Sequence, residues 1–304
     1  MTGPGSTVGD GPLRVVVDAA RGGRLTRLTC DGREWLAPTR APDEDRVPGE
    51  TTPFVRPGMG GWDEVIPSVA ATTLPDGRRL ADHGEAWRRP WTIEASSAEV
   101  LTMSVRLTSL PLTLRRTVQV TGRTLRLTYS VEADAAAAGP TPVLWSAHPQ
   151  FDAPAGTRLV LGRGPIPARI DHPAGRGEMV LDDRDVLAEL PAGTAVKAFV
   201  QPGTAVDTAT LIRPDGTVLT LRWDARALPY LGLWWDNGCC AQTPVIAVEP
   251  CTGLGDDAAA AVVTGRILSL PPGGHHSWWL HTEVGAAPGG ASSERSGSVD
   301  AGAR

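Results

Sequence analysis

The sequence predicts an all-β protein, a large antiparallel sandwich of two sheets, and three observations carry that expectation. Short runs rich in Val, Leu, Ile and Thr alternate apolar with polar residues, which is the period of a half-buried strand. Asp-Gly pairs at Asp31-Gly32, Asp76-Gly77 and Asp215-Gly216 each separate two apolar stretches, as hairpin turns require of residues that tolerate positive φ. No segment sustains the apolar period of a long helix, and 35 glycines and 27 prolines interrupt the chain too often for one. A doubly wound α/β fold is thereby disfavoured.

In chain order, residues 13–17, 101–107, 125–131 and 218–223 read as half-buried strands, with turn signals about every ten residues. Residues 244–250, Pro-Val-Ile-Ala-Val-Glu-Pro, read instead as a buried strand that ends in a carboxylate, Glu249. The first ten residues and the stretch 286–304 lack apolar periodicity, so both are expected to be disordered. Residues 11–285 are left as a single domain with no helix longer than about three turns.

With 41% hydrophobic and 21% charged residues over 304 positions, the chain can bury a sizeable core, which excludes disorder throughout. A formal net charge of −5 supplies no pull toward nucleic acid or an anionic membrane surface. No apolar run approaches the ~20 residues that span a bilayer, and the N-terminus has no basic start followed by an apolar core. The expectation is a cytoplasmic protein with neither membrane nor nucleic acid among its partners. Cys30, Cys239, Cys240 and Cys251 are too few for a disulfide framework and match no zinc spacing. They are expected as small buried apolar residues, with a redox role open only to the adjacent pair Cys239-Cys240. Ten Trp stand against two Tyr and three Phe, and Lys197 is the one lysine beside many arginines. A broad indole face suits a sugar ring as well as a core.

Of six histidines, His172, His275, His276 and His281 lie in or beside polar turns and read as surface or structural residues. His83 and His148 have denser company, each with Trp nearby and a Gly or Pro bend. Glu249, held between Val248 and Pro250, would have a raised pKa suited to a general base unless an Arg neutralises it.

Five stretches follow one another along the chain. Residues 22–36 form a glycine-paired hairpin ending in Asp-Gly-Arg-Glu-Trp-Leu, and residues 60–67 read Gly-Gly-Trp-Asp-Glu-Val-Ile-Pro. Residues 82–88 read Asp-His-Gly-Glu-Ala-Trp-Arg, residues 144–151 Leu-Trp-Ser-Ala-His-Pro-Gln-Phe, and residues 245–253 Val-Ile-Ala-Val-Glu-Pro-Cys-Thr-Gly. In this order they resemble the galactose mutarotase-like superfamily, the aldose 1-epimerases, and most closely its hexose-6-phosphate mutarotase-like branch. The resemblance implies a sandwich of the galactose mutarotase type, working as monomer or homodimer on a small-molecule sugar without metal or organic cofactor. It implies that His148 is the acid and Glu249 the base of ring opening, with His83 donating a hydrogen bond near the reacting end. Trp62, Asp63, Glu85, Trp87, Arg88, Trp235 and Asp236 are then the residues expected to line the sugar.

The chain departs from the family's His-Gly-Phe-Ala-Arg motif, with Glu85 at the aromatic position and Trp87 at the arginine. A phosphate-facing arginine survives only as Arg88 or Arg89. Asp63, Glu64 and Glu85 are extra carboxylates expected near the cleft. They suit a neutral sugar, a bound cation, or a glycoside-cleaving or sugar-lyase activity on the same scaffold, since paired carboxylates are also what glycoside hydrolysis uses. A carbohydrate-binding protein without turnover is the other alternative.

Overall fold

A computed structural model describes residues 5–39, 53–55, 58–162, 164–173, 177–182 and 186–286. Two large sheets dominate it. The 11-stranded sheet runs, in spatial order, Ser6–Val8, Leu13–Asp18, Arg24–Cys30, Trp62–Val65, Ser146–Asp152, Val245–Cys251, Tyr230–Asn237, Thr194–Val200, Ile166–His172 and Glu178–Leu181, with Arg33–Glu34 paired onto Arg24–Cys30. The 8-stranded sheet runs Arg158–Leu161, Thr208–Ile212, Thr217–Trp223, His275–Ala286, Thr124–Ala133, Leu112–Thr121, Val100–Arg106 and Thr92–Ser96. Two α-helices, Val186–Glu189 and Ala258–Val263, occur among the described residues, and neither is long and apolar enough to cross a membrane.

The alternation in the sequence is the alternation of burial. Along Leu112–Thr121 the leucines and valines face inward and the residues between them face outward, and Val100–Arg106 and Thr124–Ala133 do the same. Trp62–Val65 and Val245–Cys251, by contrast, are buried at every position, since they lie in the middle of the larger sheet and are covered on both faces. All three Asp-Gly pairs sit at turns between paired antiparallel strands. At the first, both Asp31 and Gly32 take positive φ (49° and 76°), as a two-residue hairpin demands.

The sheets are joined by a buried ion pair as well as by apolar packing. Glu64, in the larger sheet, accepts from Arg116 Nη1 of the smaller sheet at 2.7 Å, from Tyr129 Oη at 2.8 Å and from Trp145 Nε1 at 2.9 Å. Neither charged side chain has any exposed surface. Burial pushes the Glu64 carboxyl up, and the Arg116 guanidinium opposes this without cancelling it.

Three expectations need correction. Residues 6–8 are ordered as a strand against Val15–Val17, because they complete the edge of the larger sheet. Ala286 ends a strand, while residues 1–4 and 287–304 lie outside the described residues. Cys30 and Cys251 are buried as expected, whereas Cys239 is exposed and Cys240 half-buried. The pair lies in the turn after Tyr230–Asn237, where the Asp236 carboxylate accepts from the backbone N–H groups of Cys239, Cys240 and Ala241.

Arg116→Met should lower the unfolding free energy by about 3–5 kcal/mol, because it strands a buried carboxylate. Adding Glu64→Met should recover part of that loss, since no unpaired charge then remains. Urea unfolding of both variants measures the difference.

Candidate active site

The registers of the larger sheet set out a site on one face. Ser146 pairs with Cys251 and Gln150 with Ala247, which brings His148 opposite Glu249. Glu249 pairs with Gly232, and Gly232 with Phe199. Two residues along, the neighbouring row on the same face is Ala247, Trp234, Lys197 and His172. Lys197 and Glu249 are therefore diagonal neighbours across the strand Tyr230–Asn237, and the residue between them is Gly232. A Cβ there would lie 3.4 Å from both Glu249 Oε2 and Lys197 Cε and 3.1 Å from Phe199. The missing side chain leaves the space through which the ammonium of Lys197 reaches Glu249 Oε2.

The other oxygen, Glu249 Oε1, is buried without a hydrogen bond and lies 4.0 Å from His148 Nε2. Lys197 also faces Asp256, with Nζ 3.6 Å from Oδ1. Burial alone would push Glu249 up, but the Lys197 ammonium, with His148 second, holds it below the usual carboxylate range. Asp256 is pushed up by burial, against the pull of Lys197. Lys197 is held above its ordinary value because Asp256 and Glu249 outweigh its burial. The cation that neutralises Glu249 is thus the chain's single lysine rather than an arginine.

Burial pushes His148 down to about 4, with Glu249 opposing. At neutral pH it is a neutral imidazole, not the ready proton donor expected of an ordinary histidine. Phe54 lies edge-on to it, with centroids 5.1 Å apart, and stacks on His83 at 4.0 Å and 8°. His83 sits in a tight turn with φ of 54°, unusual for a residue with a side chain. Its Nδ1 is 2.9 Å from Asp82 Oδ1 and its backbone N–H donates to Val69. Gly84 follows so close to Ile66 that a Cβ would lie 1.8 Å from the carbonyl oxygen.

His83, His148, Lys197, Glu249, Asp256, Phe54, Trp234 and His172 line one cavity of about 280 Å³. That is near the lower end of small-ligand sites (~300–1,000 Å³). A groove of about 480 Å³ beside Phe199 is larger; its charged lining is Arg169, Glu178 and Arg266, and no histidine is among the described residues that line it.

The three residues expected to carry chemistry converge here, and the expected lining mostly does not. Trp62 is fully buried in the core, edge-on to Phe151 at 6.0 Å. Asp63 is fully buried and paired with Arg24. Glu85 accepts from the backbone and hydroxyls of Thr108 and Ser109 and from Arg89 Nε, which fixes a loop. Those hydrogen bonds outweigh its burial and hold it below the usual range. Trp87 lies behind Phe54, and Arg88 lies over Trp87 at 4.2 Å. Both donate at 3.4 Å to the Asp82 carbonyl, so they brace the turn that carries His83 instead of meeting a ligand. Trp235 faces the core and Asp236 caps a turn; the lining tryptophan is Trp234, one position earlier on the other face. His172, expected as a surface residue, is exposed at the rim with its ring centroid 5.9 Å from that of Trp234. Asp63, Glu64 and Glu85 are each held by separate partners, which removes them as a cation site or as a carboxylate pair for glycoside cleavage.

No family model and no curated protein matches this sequence. Solved structures do. The fold is that of the galactose mutarotase-like proteins, an all-β sandwich. The galactose mutarotase-like protein of Lactobacillus casei is 20% identical, with a TM-score of 0.69 over 92% of this chain and 100% of that one. The Slr1438 protein of Synechocystis is 18% identical at a TM-score of 0.72, covering 94% of this chain and 98% of that one. A galactose mutarotase-like protein of Clostridium acetobutylicum is 14% identical at 0.66, covering 91% and 93%.

Removing the ammonium should make stability depend on pH in a stated direction. In Lys197→Met, buried Glu249 and half-buried Asp256 lose their cation, so the folded pKa of Glu249 rises above its unfolded value and that of Asp256, already raised, rises further. The stability deficit against wild type should be smallest below about pH 4 and grow as pH rises from there through the raised folded values. Urea midpoints across that range measure it.

Proposed function

We propose that this protein is an aldose 1-epimerase, interconverting the α and β anomers of a sugar by acid–base ring opening. The observation that carries the reading is the free, buried oxygen of Glu249, facing His148 in a monosaccharide-sized cavity beside Trp234. Its Oε1 takes the proton of the anomeric hydroxyl while the C1–O5 bond breaks and O5 is protonated by an imidazole. Rotation about C1–C2 and the reverse transfers close the ring on the other face, so no proton is gained or lost. Lys197 keeps Glu249 ionised and fixed, and its high affinity for its own proton makes it a poor nucleophile toward the open-chain aldehyde. The Trp234 indole offers a face for the apolar side of the ring.

An unphosphorylated aldose suits the described lining. Arg88 and Arg89 are turned to Trp87 and Glu85, and Lys197 already faces two carboxylates. A binding protein without turnover would use the same cavity, and anomer exchange separates the two readings. Polarimetry or exchange NMR on a panel of aldoses should give exchange above the spontaneous rate; the spontaneous rate alone on every sugar would reject the reading.

Glu249→Gln should keep sugar binding and lower turnover by roughly 10²-fold, the scale of a general-base contribution. Trp234→Ala should instead raise KM about tenfold with kcat little changed, as loss of a stacking face predicts. Steady-state kinetics on the best aldose distinguishes the two.

A further inference from the structure

The geometry points to a reversible thiol–disulfide site at the rim of the cavity, formed by Cys239 and Cys240. A peroxide oxidises the exposed thiol, the two sulfurs link, and the link loosens the cavity wall. Cys240 lines the cavity beside Trp234 and His172. Together with Trp234 it packs against the apolar cluster that contains Phe54, Met59, Trp87 and Val245. Phe54 in turn stacks on His83 and stands edge-on to His148. One half-buried thiol is therefore packing for the group that seats both imidazoles.

Cys239, its chain neighbour, is exposed. The two follow Gly238, which turns the chain with a φ of 81°. Asp236, fully buried, accepts from the backbone N–H of Cys239 at 2.7 Å, of Cys240 at 3.0 Å and of Ala241 at 2.9 Å. The main chain of the turn is thus tied to the strand Tyr230–Asn237, with one sulfur given to solvent and the other to the cavity. Exposure sets this pair apart from the remaining thiols. Cys30 and Cys251 are buried, burial pushes the Cys251 thiol up to about 12, and buried thiols of that kind are inert.

In the step, the Cys239 sulfur attacks the O–O bond of hydrogen peroxide, giving a sulfenic acid and one water. The Cys240 sulfur then attacks that of Cys239, and the second oxygen leaves as water. Two thiols lose two electrons and two protons as one peroxide is reduced to two waters. A dithiol restores both thiols and is itself oxidised to a disulfide. The return is easy, because consecutive Cα atoms stand about 3.8 Å apart whereas a disulfide ordinarily spans ~4.4–6.8 Å, and a link so strained is labile. Closing it draws the Cys240 sulfur from the Phe54 cluster toward its exposed neighbour and twists the peptide between them, against the hydrogen bonds to Asp236. A wall packed as closely as a core shifts when one of its members is moved. The effect on sugar binding rests on the epimerase reading, whereas the link does not.

The test treats the whole protein with hydrogen peroxide, blocks the remaining thiols in denaturant, and reads intact mass and peptide map before and after dithiothreitol. Wild type should lose the mass of two hydrogen atoms and two reactive thiols, mapped to Cys239 and Cys240, and recover both with the dithiol. Cys239→Ser should form no link while exchanging anomers at the wild-type rate. A stable sulfinic acid at Cys239, a disulfide between two molecules, or an unreacted pair overturns the site. Imidazole NMR of the linked protein should show the signals of His83 and His148 displaced, and KM for the best aldose should rise about fivefold, the scale of one repacked wall. The same treatment of Cys239→Ser should move neither. Signals and KM that stay put in the linked protein overturn the coupling to the cavity. A reduced wild type with only spontaneous exchange rejects the epimerase reading instead, and the two imidazole signals then decide the coupling.

Discussion

The ammonium of Lys197 is the interaction on which the site depends. Glu249 stands where water is largely excluded and Asp256 is half-buried beside it, and a carboxylate placed as Glu249 is would neutralise by taking up a proton unless a cation faced it. Reaching Glu249 requires the lysine to cross a strand diagonally, which Gly232 permits by having no side chain. One carboxylate oxygen is thereby fixed and the other left without a hydrogen bond, and that asymmetry sets Glu249 apart from an ordinary structural ion pair. The pair sits on the sheet itself, so its geometry is as rigid as the backbone pairing beneath it.

Charge is handled differently a few ångströms away. Asp63 and Glu64 are neighbours on the central strand and necessarily face opposite sides of it. Glu64 ties the two sheets together through Arg116, Tyr129 and Trp145, while Asp63 pairs with Arg24, whose guanidinium also holds the backbone of Gly58 and Met59. Residues that looked like spare acids in the sequence are the ones that support the fold and the segment carrying Phe54.

Much of the architecture was legible because a half-buried sheet writes its period into the chain, as at residues 101–107 and 125–131. His83, His148 and Glu249 were legible because each sits in a short stretch of unusual composition. Trp234 and Trp235 are alike in the sequence, because adjacent residues of a strand face opposite ways and which of them faces the cavity depends on a register that only partner strands define. Trp87 and Arg88 were placed in the lining because a motif marks a turn without saying which of its members point outward. Phe54 and Asp256 carry no local signal at all. Lys197 did carry one, as the single lysine of the sequence, but its partner lies two strands away and nothing in its own neighbourhood names it.

The order in which the larger sheet is strung together has a consequence for folding. The strands bearing His148 and Glu249 are adjacent in space yet separated in sequence by several strands, some of them belonging to the other sheet. Such contacts are slow to close, since the loops between them lose their freedom before any pairing is gained. Both rows of the face lie between His148 and Glu249, while Phe54 and His83 come from well before them, so the cavity is complete only once distant stretches of the chain have met. A chain that misses the pairing of Ser146–Asp152 with Val245–Cys251 keeps its local hairpins but leaves His148 apart from Glu249.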